Sequence, residues 1–398
     1  MRVGIFFDYI PEAAGGRYTF QTELVRTLAK LQKESGHSFS LFVDERNLRT
    51  IETAPEFIGL EKVPYRVSPI AHLLGTLGRR FNVPYLDKVG TLEKTVLRNG
   101  IEFFCFLTHA PYAMDIPYLT LVMDLQHRRQ PWFPEVSHNL DWQNRESNFN
   151  TVLKRAAFIV TGNTAGKNEI QEFYGIHEER IRILPHPTPE FSLLPPNEDI
   201  DVLVQHKIGK DHPFVLYPAQ FWPHKNHANL LLALKNLRDH YGITLSAVFV
   251  GSDKGNLEYL KNLTRELSLE KEVFFAGFVP PDHLALFYKK ALALTYMSFF
   301  GPENLPPLEA FAFGCPVVAS EIAGAREQMG EAVLYVDPKD PQAIALAIKA
   351  IYEDQQLRQR LVREGLARSQ RWTAQDFVRG IFKILDDFEP IRRTWGKK

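Results

Sequence analysis

The sequence predicts an α/β protein built of two doubly wound halves, and three observations carry that reading. Strand-like and helix-like runs alternate almost throughout, which calls for parallel sheets covered by helices on both faces. The alternation falls into two series, separated by the proline-rich, acidic stretch HPTPEFSLLPPNEDID. At 398 residues the chain is also long for a single core.

VGIFFDY is the first strand, and TFQTELVRTLAKLQKES the helix after it, with apolar residues at helical spacing. SFSLFVDE, FFCFLTHA, YLTLVMD, AAFIVTGN and RIRILPHP are the further strands of the first series. The second series runs PFVLYPA, SAVFVGS, VFFAGFV, LALTYMS, PVVAS and AVLYVDP. The domains expected are 1–190 and 191–372, with a closing helix within 373–398 that returns to the first domain. No repeat of solenoid length interrupts the pattern.

Composition narrows the class. Hydrophobic residues at 45% and charged residues at 24% suit a packed globular protein. Lys+Arg 47 balance Asp+Glu 47, so the overall charge offers nucleic acid no footprint. Cys105 and Cys315 both sit in apolar runs and read as buried thiols of a reducing compartment. The opening runs straight into a strand, and no apolar run reaches transmembrane length, so a cytoplasmic location is expected. The histidines lack metal-ligand spacing, and no Asp-x-Asp at a strand end, P-loop or nucleophile elbow is present. No catalytic metal and no cofactor are expected.

The most informative stretch is FFGPENLPPLEAFAFGCPVVASE, residues 299–321. It reads as a tight loop, two prolines opening a helix, an acid in the first turn, then a helix stop at Gly314 and Pro316 before a buried strand. A helix N-terminus facing a loop offers N–H groups and a positive dipole end to an anion. Glu309 could accept hydrogen bonds from sugar hydroxyls, or could simply belong to an ordinary αβ unit.

LPPLEAFAFGCPVVAS resembles the signature of the retaining, nucleotide-sugar-dependent glycosyltransferases of family 4, which have the GT-B fold: two Rossmann-like domains facing a central cleft. The resemblance spans nearly the whole chain and is most specific over residues 214–338. In that family two glutamates flank seven residues; the second binds the donor's ribose hydroxyls and the first contacts the donor sugar. Glu309 matches the second, while the first one's place holds Gly301, with Glu303 and Asn304 as the nearby polar candidates.

The other site residues follow from the same resemblance. In LYPAQFWPHKNH, Gln220 stands where the family has an arginine, and Lys225 keeps the lysine that holds the diphosphate. A fixed ammonium there stabilises the charge that grows on a leaving diphosphate. His224 could help, or HKNH could be a polar loop with Asn226 capping its helix. Gly16, in a glycine pair after the first strand, matches the family's glycine-rich loop. Met123 occupies the slot of a family histidine, Asp124 matches the acid after it, and His127 lies three residues on. These two could orient a sugar or assist acceptor deprotonation, though an aspartate at a strand end is also a common turn cap. The expected catalytic residues are thus Lys225, Asp124 and His127. The expected donor-binding set is Gly16, Gln220, Lys225, Glu303, Asn304, Leu305 and Glu309. Main-chain groups after Gly277 are expected near the base, with Phe278 either there or in the core, and Glu327 matches an acid after the signature helix.

What the resemblance implies is retaining, metal-independent transfer of a hexosyl or deoxyhexosyl group from a nucleoside-diphosphate sugar to a glycan or glycolipid acceptor, in polysaccharide or glycolipid assembly. The nucleotide sugar is then a substrate rather than a cofactor. The departures at Gln220, Gly301 and Met123 keep an alternative open: a catalytically weak GT-B scaffold that binds sugars or protein partners. An epimerase or phosphorylase on the same fold is a third reading. The stretch 72–100, with Arg79, Arg80, Lys88, Lys94 and Arg98 beside leucines, could dock peripherally on a membrane or form a helix with a solvated basic face.

Overall fold

The computed structural model describes residues 1–8, 16–54, 57–66, 88–209 and 213–396. These divide into two compact units. One comprises Met1–Trp132, Val136–Pro185 and Ala374–Lys398; the other comprises Phe133–Glu135 and His186–Thr373. The sequence reading placed the division near residue 190, and no sequence feature pointed to the assignment of Phe133–Glu135.

Among the described residues the first unit holds seven strands: β1 (Arg2–Phe7), β2 (Ser38–Asp44), β3 (Glu61–Tyr65), β4 (Phe103–Phe106), β5 (Tyr118–Leu121), β6 (Phe158–Thr161) and β7 (Ile181–Ile183). Their order is β3-β2-β1-β4-β5-β6-β7, and every pair is parallel. β4, β5 and β6 are buried at every position, which is why their sequences are continuous apolar runs rather than alternating ones. β3 was missed. EKVPY is short, charged and carries Pro64, features that suit an edge strand and hide it from a search for buried runs.

The helix Ala374–Arg393 packs on the first unit through aromatic contacts. Phe377 meets Phe20 at 5.6 Å, Phe382 meets Phe39 at 5.4 Å and Phe388 meets Phe103 at 5.0 Å between ring centroids. Its polar side is tied by His37–Asp386 at 3.0 Å and Arg392–Glu102 at 3.2 Å. Of the stretch considered for membrane docking, 72–87, with Arg79 and Arg80, lies outside the described residues, as does the side chain of Lys88. In the helix Lys88–Arg98, Leu92 and Val96 join the core, while Lys94, Leu97 and Arg98 are exposed, so this part of the apolar stripe faces inward. Among the described residues no helix is long and apolar enough to cross a membrane.

The second unit holds β8 (Phe214–Pro218), β9 (Ser246–Val250), β10 (Val273–Gly277), β11 (Ala293–Tyr296), β12 (Val317–Ser320) and β13 (Val333–Val336), all parallel, in the order β10-β9-β8-β11-β12-β13. The order reverses direction between β8 and β11, and in such sheets the ligand site lies beyond the carboxyl ends of those two strands. Gly251, just past β9, passes so close to β8 that a Cβ would sit 2.2 Å from the Ala219 carbonyl oxygen. Only glycine allows that approach. The stretch read as a linker is packed into this unit: Thr188 and Ser192 are buried, Thr188 N–H donates to the Trp372 carbonyl, and Phe191 meets Phe313 at 6.2 Å. Its prolines and acids suggested a free segment, but Pro187 and Pro189 are themselves buried beside Thr188, with Ser192.

Both cysteines are free and buried, and burial raises the pKa of each thiol.

Truncating Phe388 removes a ring that also meets Phe158 at 6.0 Å. Phe388→Ala is expected to cost about 3–5 kcal/mol of stability, read by urea unfolding. A loss under about 1 kcal/mol would show that the closing helix contributes little to this core.

Candidate functional site

Beyond the end of β8 the chain runs through Ala219 and Gln220 into a 3-10 turn, Pro223–Lys225, and then the helix His227–Tyr241. Asn226 sits between them in the left-handed region, at φ 58°. Its side chain does not cap the helix, as the sequence had suggested; its amide donates to the carbonyls of Met297 and Pro338, at 3.0 and 2.7 Å. Tyr217 Oη donates to the Lys225 carbonyl at 2.5 Å. The backbone around Lys225 is therefore fixed from β8 and from the segments just past β11 and β13.

The half-buried ammonium of Lys225 donates to Tyr296 Oη at 2.9 Å, at the end of β11. Tyr296 Oη in turn donates to Asn304 Oδ1 at 2.8 Å. Asn304 Nδ2 donates to the Gly301 carbonyl at 2.8 Å, and the Asn304 backbone exchanges two hydrogen bonds with the Gln328 side chain, at 3.0 and 2.9 Å. Among the described residues no carboxylate lies within ion-pair reach of Lys225. A partly desolvated cation without a counter-charge is unfavourable alone and well suited to an incoming anion.

Asn304 precedes the helix Leu305–Ala312. This helix starts ahead of both prolines, so Glu309 falls in the second turn rather than the first, as expected from sequence. Pro306 and Pro307 also have no N–H, so of the first three helical positions only Leu305 keeps one. The helix end therefore offers an anion fewer donors than its position alone suggested.

The two acids here are buried and engaged elsewhere. Glu309, 7% exposed, accepts from Tyr288 Oη at 2.7 Å; burial raises its pKa to about 7, against the pull of that hydrogen bond. Glu303 accepts from the His186 backbone N–H with both oxygens, at 3.1 and 3.0 Å. Burial, with a smaller push from the Glu327 charge, raises the Glu303 pKa to about 8, against that N–H. Gly301, in the place of the family's first glutamate, has φ 138°, and a Cβ there would sit 2.4 Å from Asn304 Oδ1. The Asn304 amide occupies the space a longer residue at 301 would need.

Gln220 Oε1 accepts from Trp222 Nε1 at 3.0 Å, so its amide is directed to the indole rather than bonded to Lys225. Phe278, past β10, is 52% exposed and not a core residue. Glu327 is exposed.

Asp124, His127 and Gly16 belong to the first unit. Gly16 opens the helix Gly16–Leu31 and is exposed, while its neighbour Gly15 lies outside the described residues. Asp124 accepts from the Gln126 N–H at 3.0 Å, as a turn cap does, and pairs with Arg145. Burial pushes its pKa up, but the Arg145 charge and these donors hold it below the ordinary carboxylate value. It is an ionised, occupied acceptor. His127 is fully buried, with Nε2 at 3.3 Å from Glu146 Oε2 and 3.2 Å from Tyr174 Oη, and its ring stacked on Phe149. Burial, and then the Arg145 charge, lower its pKa to about 4, so it is neutral at pH 7. In this conformation the ring braces the core and reaches no solvent.

Of the expected residues, the structure therefore links Lys225 and Asn304, and places Leu305, Glu303 and Glu309 on the same loop and helix with other partners. Sequence reasoning missed Tyr296, Gln328 and Tyr288. Tyr296 had a usable signal, since it ends the strand that flanks β8 at the switch point.

The second unit is thus a parallel sheet of Rossmann-type order with the Lys225 ammonium beyond its switch-point strands. Residues 201–368 match the model of the family described as Glycosyl transferases group 1. The chain is similar to the D-inositol 3-phosphate glycosyltransferase of Acidothermus cellulolyticus, with 31% identity over 252 residues, which covers 61% of this chain and 56% of that protein. It spans 52%, 60% and 53% of the next curated relatives, so little more than half of each is matched. Among solved structures it resembles sucrose-phosphate synthase from Thermosynechococcus elongatus, at TM-score 0.75 and 18% identity, covering 98% of this chain and 99% of that one. It also resembles Anabaena Alr3699/HepE in complex with UDP and glucose, at TM-score 0.68 and 17% identity, covering 97% and 100%. The fold is GT-B, two units of Rossmann type.

Glu303 and Glu309 give the protein a pH signature. A carboxyl whose pKa rises on folding from the ordinary 4.5 to about 8 or about 7 keeps its proton where the unfolded chain has lost it. Its stabilising contribution is complete below the unfolded pKa and is lost as pH rises through the folded one. Glu303→Gln is therefore expected to gain stability relative to the unsubstituted chain as pH rises from about 5 to 8, read by urea unfolding at each pH. A constant difference across that range would contradict the assignment.

Proposed function

We propose that the protein is a glycosyltransferase that moves a sugar from a nucleoside-diphosphate sugar to an acceptor hydroxyl, with retention at the anomeric carbon. The observation that carries this reading is the Lys225 ammonium, held by the Tyr296 hydroxyl at 2.9 Å beyond the switch-point strands. The family match over residues 201–368 and the UDP named in the HepE complex support it.

In this reading the diphosphate lies at Lys225. The bond between the anomeric carbon and the diphosphate oxygen breaks, the leaving oxygen takes the electron pair, and Lys225 meets the charge that develops. The acceptor oxygen bonds to the same carbon, and its proton passes to the departing phosphate. Glu309 receives ribose hydroxyls after Tyr288 yields, and Asn304 presents its amide to the sugar where Gly301 has no side chain. Asp124, fixed by Arg145, is the residue assigned to orient the acceptor, a glycan or glycolipid. The nucleotide sugar is a substrate, and the place of action is the cytoplasm or a membrane surface facing it. The weak-scaffold alternative draws on the neutral Gln220 and the absent carboxylate at Gly301.

Lys225→Ala is expected to lower kcat by about 10²-fold or more in steady-state assays with the preferred donor, because the lost charge acts chiefly in the transition state. Near-normal turnover would make the loop structural. Glu309→Gln should weaken nucleoside diphosphate binding by about 1–3 kcal/mol by calorimetry, and unchanged affinity would remove Glu309 from the ribose site.

A further inference from the structure

The turn that carries Lys225 is held by a segment that neither motif nor spacing marks. Glu135 Oε1 accepts from the His224 backbone N–H at 3.2 Å and bonds to His224 Nδ1 as well. Both side chains are buried, 5% and 11% exposed. Two residues earlier, the Phe133 ring stacks on Phe299 at 5.9 Å and 28°, and meets His224 edge-on at 6.1 Å. The His224 carbonyl accepts from the Phe299 N–H at 2.8 Å, which closes the arrangement. Phe133 and Glu135 thus touch both loops of the switch point: the turn Pro223–Lys225, and the loop that begins at Phe299 and ends at Asn304. Both residues cluster with the second unit although they lie far from it in sequence.

We propose that Phe133 and Glu135 form a clamp on these two loops, and that Glu135 is a positioning residue for anion binding at Lys225. His224 is the residue before Lys225. Without Glu135, its N–H and ring nitrogen lose their buried acceptor, and the turn relaxes toward water to satisfy them. A displacement of that kind, on the order of an ångström, is enough to misplace a charged group for its ligand. Charge adds to the effect. The carboxylate is taken up by His224 and not by Lys225, so the clamp fixes the turn without neutralising the cation that binds the diphosphate. Burial works to raise the Glu135 pKa, but the His224 hydrogen bonds outweigh it and keep the carboxyl below its ordinary value. The inference rests on the reading of Lys225 as the diphosphate contact.

The test is a double-mutant cycle on the full chain, read by titration calorimetry with UDP, GDP and dTDP. For whichever nucleotide binds, Glu135→Ala is expected to weaken affinity by about 10-fold, and Lys225→Ala by at least as much. In the Lys225→Ala background the Glu135 substitution should cost less than about 2-fold, because there is no ammonium left to position. If Glu135→Ala is not folded by circular dichroism, Glu135→Gln takes its place, with an expected loss of about 3-fold that also vanishes beside Lys225→Ala. Losses that multiply in full mean that Glu135 affects binding independently of Lys225 and overturn the clamp. A loss with Lys225→Ala but none with either Glu135 variant overturns the clamp and leaves the Lys225 reading standing. No loss with Lys225→Ala, or no binding of any of the three nucleotides to the unsubstituted chain, overturns both.

Discussion

A cation with no carboxylate in ion-pair reach among the described residues organises the second unit. Lys225 stands beyond the two strands where the sheet reverses its winding, and its ammonium is met by a phenol instead of a carboxylate. The surrounding structure fixes it. Tyr217 holds its carbonyl, Asn226 ties the turn to Met297 and Pro338, and Tyr296 passes the alignment on to Asn304. Gln328 then holds Asn304 by its backbone, and Arg368 donates to the Gln328 carbonyl at 2.8 Å. Such a chain removes rotamer freedom from the ammonium before any ligand arrives, which is how electrostatic preorganisation is achieved.

The same constraint explains how the loop 301–304 departs from the pattern the sequence resembles. Gly301 adopts a backbone conformation that other residues disfavour, and Asn304 folds back over it. A glutamate at 301 would have to displace the amide that Tyr296 uses. The missing acid and the present asparagine are one structural solution. Glu303 does not fill the gap, since both of its oxygens are taken by the His186 N–H.

The fold was largely legible in the sequence because parallel strands buried on both faces leave unbroken apolar runs, and helices leave a different period between them. β3 escaped because an edge strand needs neither property, and EKVPY has neither. The stretch 186–201 was misjudged as a linker because its composition is polar, while the residues that hold it, among them Thr188, Phe191 and Ser192, are few. In the site, Lys225 and Glu309 were legible through a local motif. Tyr296, Gln328 and Glu135 were not, because each acts across a gap in sequence that only the fold closes. His127 shows how burial sets a side chain's place. A histidine near a strand end reads as chemistry, but its place under Phe149, Glu146 and Tyr174 is set by burial, which the local sequence does not encode.

The central claim is that the anion awaited at Lys225 is the diphosphate of a nucleotide sugar. The most direct measurement is release of nucleoside diphosphate when the full chain is incubated with UDP-, GDP- and dTDP-sugars, with and without candidate glycan acceptors. The account predicts release from at least one donor, faster with an acceptor present. No release and no binding across the panel would contradict it, and would leave the Lys225–Tyr296–Asn304 chain as a structural brace in a GT-B scaffold.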